Sequence, residues 1–308
     1  MKVNKKSLLG WLGVSISLIF SSIWAYWGAI ENFHEGWYSE SIWENLFMLV
    51  FQYLLITLIL IVAALTSLRW RVVGMLLHLA LAGFCAWFFF GSSFNVIGLM
   101  IVIPLVGLGL LFYFGDPKPK KWAYLFLLLV PTLIILAVSI PQGIKLSERV
   151  NDNDFGIRIV EGNGVTLVWA PRGPGWPDHG VTWIEASTLV KYLSEDGLTM
   201  EETEQNFWRL PTAEEAVRSM MLHNENAGGV YDPATSTAQY QMTPDKETPL
   251  WDIYSPVIYY WTSDTCPTDE SRAYIIVYHG GVFSKRKTDG QDYLGFRAVK
   301  ELEPNNSD

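Results

Sequence analysis

Long apolar stretches separated by short polar segments fill the first ~140 residues of this 308-residue chain. Each stretch has about 19–23 residues, enough for a helix at ~1.5 Å per residue to cross a hydrocarbon core of ~30 Å. Because an unpaired backbone amide in lipid costs several kcal/mol, we expect each stretch to be helical. The five predicted spans are residues 8–30, 46–68, 72–90, 94–114 and 122–140.

Basic residues predict the orientation of these spans. Eight of the 22 Lys and Arg residues precede residue 142, in three short segments that would share one side of a membrane: Lys2, Lys5, Lys6, Arg69, Arg71, Lys118, Lys120 and Lys121. That side is expected to be the cytoplasm. The opposite loop, 31–45, holds Glu but no Lys or Arg. The pattern predicts a multi-pass plasma-membrane protein with a cytoplasmic N-terminus and everything after residue 142 outside.

Two details of the membrane half affect this topology. Spans three and four are joined by only residues 91–93, and a re-entrant pair there is an alternative that leaves the basic loops inside. The first stretch is too long for a typical signal peptide and lacks a small-residue cleavage site, so we expect it to be retained. His78 is the only Asp, Glu, His, Lys or Arg residue within a predicted span. We expect it to pack between helices with a hydrogen bond to a carbonyl, in a region that serves as an anchor.

Composition changes abruptly after Pro141. The preceding part has eight basic and five acidic residues, a net charge of +3, whereas the remainder has 14 basic and 26 acidic residues, a net charge of −12. An acidic domain is repelled by phosphate backbones, which argues against nucleic acid as a partner. The predicted organisation is a transmembrane domain at 1–141, a linker at 142–154, an outer domain at 155–303 and a tail at 304–308.

The outer domain has mixed periodicity. Alternation predicts a hairpin over 156–170 that turns at 161–164. Helical spacing predicts helices at 183–195 and 212–222, the second with Thr212 as N-cap and Glu215 completing a capping box. The other predicted elements are an aromatic strand at 257–262, a hairpin of 273–278 with 281–284, and a final strand at 293–299. Residues 224–251 show little periodicity and are expected to be a functional or self-packed loop. The class is α+β.

Residues 208–215 read Trp-Arg-Leu-Pro-Thr-Ala-Glu-Glu. This segment resembles the Arg-Leu-Pro-Thr-x-x-Glu motif of the formylglycine-generating enzyme (sulfatase-modifying factor) family. Four others follow the family's order: residues 165–171, 179–186, 260–264 and 295–297. The resemblance covers residues 160–299 and implies a C-type-lectin-like fold. It assigns structural roles to Trp183, Arg209, Leu210, Pro211, Thr212, Glu215, Trp261, Gly295, Phe296 and Arg297.

Physical chemistry suggests what three of these residues do. Arg209 is expected to form a buried or half-buried pair with a carboxylate, since its planar guanidinium suits bidentate contacts. Pro211 stiffens the start of the following helix. Gly295 is expected to allow a close backbone approach or an unusual φ.

The family's chemistry is expected to be lost. Its formylglycine-generating members use a pair of cysteines, but this chain has Cys85 within span three and Cys266 alone in the outer domain. Iron-dependent relatives use His residues, and only His179, His223 and His279 are present there, without metal-ligand spacing. We predict no catalytic residue, metal ligand or cofactor. Calcium remains a candidate for the acids Asp264, Asp269 and Glu270, although their spacing is not that of a calcium loop. We expect Cys266 to be inert; pairing with another chain is the alternative.

The sequence favours a membrane-anchored binding or scaffold protein with a catalytically degenerate outer domain. Its expected partners are the lipid bilayer, a protein or glycan ligand, and other subunits of a membrane complex. The expected recognition surface is residues 224–251 plus 265–272, with exposed Tyr and Trp as anchors. Two other functions stay open: an iron- or copper-dependent enzyme of the cell envelope, and an accessory subunit of a larger membrane complex.

Overall fold

The computed structural model describes residues 4–91 and 95–302 and divides the chain into two compact units. The helical unit contains residues up to His34 and Ser41–Ile144. The C-terminal unit contains Glu35–Glu40 and the chain from Lys145 onward. Lys2, most of the short turn predicted at 91–93, and the tail at 304–308 lie outside the described residues.

Helices make up the first unit. They are α1 (Lys5–Glu35), α2 (Ile42–Met48), a π-helical segment (Leu49–Tyr53), α3 (Leu55–Arg69), α4 (Arg71–Phe90), α5 (Val96–Phe114) and α6 (Lys120–Ser147). Within the described ranges, α1, α4, α5 and α6 are each long and apolar enough to cross a membrane. The pair formed by α2 with its π segment and α3 makes a fifth if it is one span. The helical, membrane-compatible character predicted for this region is confirmed, with four to five candidate spans.

The second predicted span is not one straight helix. The chain bends by 63° between Tyr53 and Leu55. At this break the Tyr53 carbonyl oxygen packs so closely on α1 that a Cβ on Gly28 would lie 2.4 Å from it. No Pro or Gly lies within residues 46–68 to indicate a break. The bend therefore occurs where the chain packs against Gly28 of α1. The hydrophobic pattern of residues 46–68 does not predict this contact.

Three basic segments meet at one end of the helical unit, around Asp116. This carboxylate forms ion pairs with Arg71 at 2.7 Å, Lys120 at 3.3 Å and Lys118 at 3.9 Å. Its backbone N–H donates to the carbonyl of Lys6 at 2.7 Å. Burial raises the pKa of Asp116, but hydrogen bonds and charges from Arg71 and Lys120 outweigh it and lower the pKa below its usual value. We call Asp116 with Arg71, Lys118 and Lys120 the basic hub.

Sheets and short helices form the C-terminal unit. The strands are β1 (Arg158–Gly162), β2 (Val165–Trp169), β3 (Met221–Leu222), β4 (Glu225–Asn226), β5 (Val230–Asp232), β6 (Thr237–Gln239), β7 (Tyr259–Thr265), β8 (Arg272–Val277), β9 (Val282–Arg286), β10 (Leu294–Gly295) and β11 (Val299–Glu301). The two larger sheets have the orders β1-β2-β11 and β10-β7-β8-β9, while β3 with β4 and β5 with β6 form two-stranded sheets. The helices are α7 (Trp183–Leu189), followed by a 3₁₀ turn (Val190–Tyr192), and α8 (Ala213–Ser219).

Both predicted hairpins are present. β1 and β2 are joined by Asn163 and Gly164, whose φ angles of 46° and 86° lie in the left-handed region typical of two-residue hairpin turns. β8 and β9 pair antiparallel on either side of Gly280, which also has a positive φ of 86°. Turn residues at these positions explain why the pattern located the strands correctly.

The final strand predicted at 293–299 is divided between the two sheets. β10 pairs in parallel with β7, and β11 pairs antiparallel with β2. Phe296 and Arg297, which connect the two strands, are both fully buried. Gly295 allows a close approach, since a Cβ there would lie 2.7 Å from a methyl group of Val257. The segment resembles one strand in sequence because its residues 294–299 are all buried and mostly apolar.

The two helices of this unit begin as predicted and end earlier. Capping boxes of Thr182 with Glu185 and of Thr212 with Glu215 start α7 and α8. The α-helices stop at residues 189 and 219, short of the predicted 195 and 222, because the chain then enters a 3₁₀ turn and β3, respectively. Arg209 donates two hydrogen bonds of 2.7 Å to Glu215, which confirms the expected half-buried bidentate pair.

The predicted linker at 142–154 contains helical turns and buried contacts. Helix α6 continues to Ser147, and Arg149 forms an ion pair of 2.7 Å with Asp245 in which both side chains are buried. The carbonyl of Val150 then accepts a hydrogen bond from the backbone of Thr248 at 3.1 Å. A buried partner for Arg149, which local composition does not reveal, fixes this segment to the C-terminal unit.

Asp245→Asn should reduce the free energy of unfolding of the C-terminal unit by about 3–5 kcal/mol, since it leaves Arg149 as a buried, unpaired charge. Hydrogen exchange of β7 and β8 in the full chain in detergent measures this change. Glu270→Gln is the control, because it also replaces a carboxylate by an amide but at an exposed position. It should change the free energy of unfolding by less than about 0.5 kcal/mol.

The Arg149–Asp245 ion pair also predicts how the stability of the C-terminal unit depends on pH. Burial raises the pKa of Asp245, but the charge and hydrogen bond of Arg149 outweigh it and hold the pKa below its usual value. The stabilisation is therefore present above the ordinary Asp pKa of about 4 and is lost as the pH falls below it. Wild type should lose stability more steeply than Asp245→Asn between about pH 5 and 3. Parallel pH profiles of the two proteins would contradict this.

Candidate functional site

A groove of about 390 Å³ lies in the C-terminal unit, on the chain that follows β2. Its volume falls in the range of about 300–1,000 Å³ typical of small-molecule sites. Charged and apolar groups both contribute to it, among them Arg172, Trp176, Asp178, His179, Leu189 and Met200. Hydrogen-bonding groups beside apolar surface suit a polar ligand with some apolar faces.

A tight turn shapes one wall of the groove. Gly173 and Trp176 exchange backbone hydrogen bonds of 3.3 and 3.0 Å. Gly173 has a φ of 142°, which favours glycine. Gly175 sits so close to the sheet that a Cβ there would lie 2.9 Å from the Cβ of Ala170. The wall is therefore held by backbone contacts.

Arg172 is the best-positioned cation of the groove. Its guanidinium stacks on the Phe155 ring at 3.7 Å and forms an ion pair with Asp252. About 42% of its side chain remains exposed. Two contacts thus orient a guanidinium that still reaches solvent and can donate to a ligand.

Asp178 and His179 follow Arg172 in the same loop, and their side chains are largely exposed. The His179 Nδ1 lies 3.3 Å from a carboxylate oxygen of Asp178. Together they offer acceptors and a ring donor at the groove.

The other two candidate histidines lie in different surroundings. His223 pairs with buried Glu247 at 3.2 Å, and His279 lies in the turn between β8 and β9. Within residues 4–91 and 95–302 no three His, Cys, Asp or Glu side chains form a group that could hold a metal ion. The structure does not bring His179, His223 and His279 into such a group.

The predicted recognition surface is only partly at the surface. Residues 265–271 are largely exposed, and β5 with β6 forms a small hairpin within 224–251. Residues 244–251, however, are all buried. Trp251 stacks on Tyr260 at 3.9 Å and is part of the core. The expectation of an exposed Trp anchor here is wrong, because the apolar part of the loop fills the core beside β7.

The motif residues occupy the junction between α7, α8 and the second sheet. The indole of Trp183 donates to the carbonyl of Thr262 at 2.8 Å, and that of Trp261 to the carbonyl of Val181 at 2.9 Å. The carbonyl of Pro211 accepts from the backbone of Ser263 at 2.8 Å. Leu210 is buried beside them. These contacts connect the start of each helix to β7.

Two features of the helical unit bear on its role. His78 is buried, and its Nδ1 lies 2.8 Å from the Gly74 carbonyl, so the expected packing and hydrogen bond are confirmed. A cavity of about 350 Å³, lined by apolar side chains and Cys85, lies among α1, α3, α4 and α5. Neither feature places a charged group in a span.

Comparisons with protein-family models, with curated proteins and with solved structures find no match. The resemblance to the formylglycine-generating enzymes therefore rests on the sequence motifs alone.

The groove includes residues that the sequence analysis did not select. Arg172, Trp176 and Asp178 belong to a segment, Arg-Gly-Pro-Gly-Trp-Pro-Asp-His, rich in turn formers around one Trp. Glycine and proline residues directly after a strand indicate a loop with defined turns. Binding residues are concentrated in such loops. Only His179 was considered, and as a metal ligand.

Cys266 is the thiol of the C-terminal unit and is partly exposed. Its Sγ lies 3.3 Å from the Thr268 hydroxyl and 3.9 Å from the Tyr274 hydroxyl. The Thr268 hydrogen bond is the largest of the influences that lower the pKa of this thiol. A lowered pKa increases the thiolate fraction at neutral pH, and the thiolate is the reactive form. We therefore expect the Cys266 thiol to be reactive, whereas the sequence analysis predicted that it is inert.

Thr268→Ala should slow alkylation of Cys266 at neutral pH and move the midpoint of its rate–pH profile upward. The measurement uses iodoacetamide on the full chain carrying Cys85→Ala, so that one thiol reports. Thr265→Ala, which removes another exposed hydroxyl next to Cys266, should leave the midpoint unchanged. A profile that Thr268→Ala does not shift would refute the assigned cause.

Proposed function

We infer that this protein is a membrane-anchored binding protein that presents its C-terminal unit on the outer face of a bacterial-type plasma membrane. The unit is a C-type-lectin-like domain related to the formylglycine-generating enzymes but without their thiol pair. Its ligand is a saccharide of the cell envelope, bound in the groove beside Arg172. One observation carries this proposal. A groove of ligand size lies in a unit that the chain connects to helices long and apolar enough to cross a membrane.

Chain connectivity supports the orientation. The basic hub gathers the N-terminal ends of α1, α4 and α6, together with the C-terminal end of α3. The C-terminal ends of α1 and α6 lead instead into residues 35–40 and 145 onward, both parts of the C-terminal unit. Clustered positive charge favours the cytoplasmic side, so the other ends of these helices emerge outside.

Motif placement supports the family relationship. The Arg209–Glu215 pair and its capping box begin α8, and the Gly295-Phe296-Arg297 segment crosses between the two sheets. Each motif thus occupies a position that a shared architecture would need to keep. The chain contains only Cys85 and Cys266, so one C-terminal domain cannot supply two thiolates. Fold likeness alone does not establish activity, so the argument for binding rests on the groove.

The shape of the groove favours a saccharide over a protein surface. A volume of about 390 Å³ accommodates a small ligand, whereas protein interfaces are broad and bury about 800 Å² per partner. Arg172 offers donors, Asp178 offers acceptors, and Leu189 and Met200 offer apolar contacts. Sugars present the matching set of hydroxyls and apolar ring faces.

Binding of soluble peptidoglycan fragments and of a panel of neutral and acidic oligosaccharides to the full chain in nanodiscs tests this proposal. At least one class should bind, and Arg172→Ala should weaken it roughly 10- to 100-fold, the value of a hydrogen bond to a charged group. Arg286→Ala is the matched control, because this exposed Arg lies on β9 outside the groove lining. Absence of saccharide binding, or equal weakening by both variants, would overturn the proposal.

A further inference from the structure

Arg297 is a fully buried cation without an acidic partner. Its Nε donates to the carbonyl of Ala170 at 2.8 Å, and its Nη1 donates to the carbonyl of Pro249. Both acceptors are neutral, and among the described residues no carboxylate forms an ion pair with it. The pull of Asp154 is opposed by the repulsion from Arg158. Among the described residues, no carboxylate pairs with this positive charge in the core.

This arrangement is costly. Moving an ion into a protein interior costs several kcal/mol even after relaxation, and buried charges are normally paired. Burial lowers the pKa of Arg297 to about 9, so the side chain is still protonated at neutral pH. A fold that keeps such a group requires a source of negative charge beside it.

Three buried N–H groups in the same region also lack an acceptor among the described residues. They are the Nη2 of Arg297, the Nε1 of Trp169 and the Nε1 of Trp251. Each of the three side chains is at most 2% exposed. Buried donors in native proteins are nearly always satisfied, and each exception requires an explanation.

These donors belong to one neighbourhood. The guanidinium carbon of Arg297 lies 6.0 Å from the centre of the Trp169 ring. Its acceptor Ala170 follows Trp169 directly, and its other acceptor, Pro249, lies two residues before Trp251. The Arg297 Nη2 and the two indole N–H groups therefore belong to residues that lie next to this guanidinium or to its acceptors in the chain.

Aromatic rings enclose the neighbourhood. Trp176 stacks on the Arg297 guanidinium at 3.7 Å, and its own Nε1 donates to the hydroxyl of Tyr260 at 2.7 Å. Trp251 stacks on the Tyr260 ring at 3.9 Å with an angle of 5°. We call Arg297, Trp169, Trp176, Trp251 and Tyr260 the aromatic cage. It is an apolar enclosure with N–H donors and one positive charge.

We propose that the aromatic cage binds a small monovalent anion of the halide type, physiologically chloride, held by Arg297 Nη2, Trp169 Nε1 and Trp251 Nε1. A halide only accepts hydrogen bonds, so it can satisfy all three donors, and it neutralises the guanidinium. A water molecule would leave the charge in place and would need acceptors for its own two hydrogens. The site shares Trp176 with the saccharide groove, but the three residues that supply its donors are not among those that line the groove.

Anomalous diffraction from crystals of the full chain grown in bromide locates the ion. A bromide peak within hydrogen-bonding distance of Arg297 Nη2 and both indole nitrogens is the expected result. Density without an anomalous signal would mean water and would overturn the proposal. Bromide found only at surface positions would overturn it as well.

Stability in solution gives a second test. Unfolding of the C-terminal unit, followed by hydrogen exchange in detergent at constant ionic strength, should shift to higher stability as chloride or bromide replaces sulfate. Trp169→Phe and Trp251→Phe, which each remove one donor and keep an aromatic ring, should weaken the apparent halide affinity roughly 10- to 100-fold. Arg297→Met should abolish the halide dependence where the variant folds.

Trp208→Phe is the matched control. Trp208 is also buried, but its Nε1 donates to the carbonyl of Ser194 at 2.9 Å. This variant should lose stability equally in halide and in sulfate. If Trp169→Phe and Trp208→Phe respond alike to halide, the anion site does not exist. This outcome is separate from saccharide binding, which Arg172 variants report.

Discussion

The carboxylate of Asp116 holds together three basic segments that are far apart in sequence. It pairs with Arg71, with Lys118 just before α6 and with Lys120 at the start of α6, and its backbone N–H donates to the first turn of α1. One negative charge among so many positive ones organises the cluster and leaves it strongly basic. A cluster of this kind has a preferred side of a membrane. The position of the C-terminal unit in the cell, and any ligand it meets, depends on that preference.

The sequence predicted the elements whose signals are local. Hydropathy located the apolar helices, and turn and capping residues such as Gly164 and Thr212 located hairpins and helix starts. It did not predict the bend after Tyr53 or the burial of Arg149, because their causes lie in packing partners distant along the chain. The sequence also did not predict that residues 293–299 are divided between two sheets. Alternation of apolar and polar residues does not show which strand a residue pairs with.

The candidate site was predicted less well than the fold. Attention to metal ligands selected His179, but its relevant neighbours are Arg172 and Asp178 in the same loop. Weak periodicity selected residues 224–251 as a recognition loop, but the last eight of them, 244–251, are buried. The resemblance gave Arg297 a structural role, but its two neutral acceptors and its unpartnered Nη2 are visible only when the surrounding donors and acceptors are located. Burial and hydrogen-bond partners are properties of the folded chain, so composition alone does not supply them.

The most direct test of the account is the side of the membrane on which Cys266 lies. A variant with Cys85→Ala leaves this partly exposed thiol as the single reporter. A membrane-impermeant maleimide added to sealed spheroplasts should label Cys266 as fully as after lysis, and inside-out vesicles should remain unlabelled. Labelling that requires lysis, or that occurs in inside-out vesicles, would place the C-terminal unit in the cytoplasm and contradict the account.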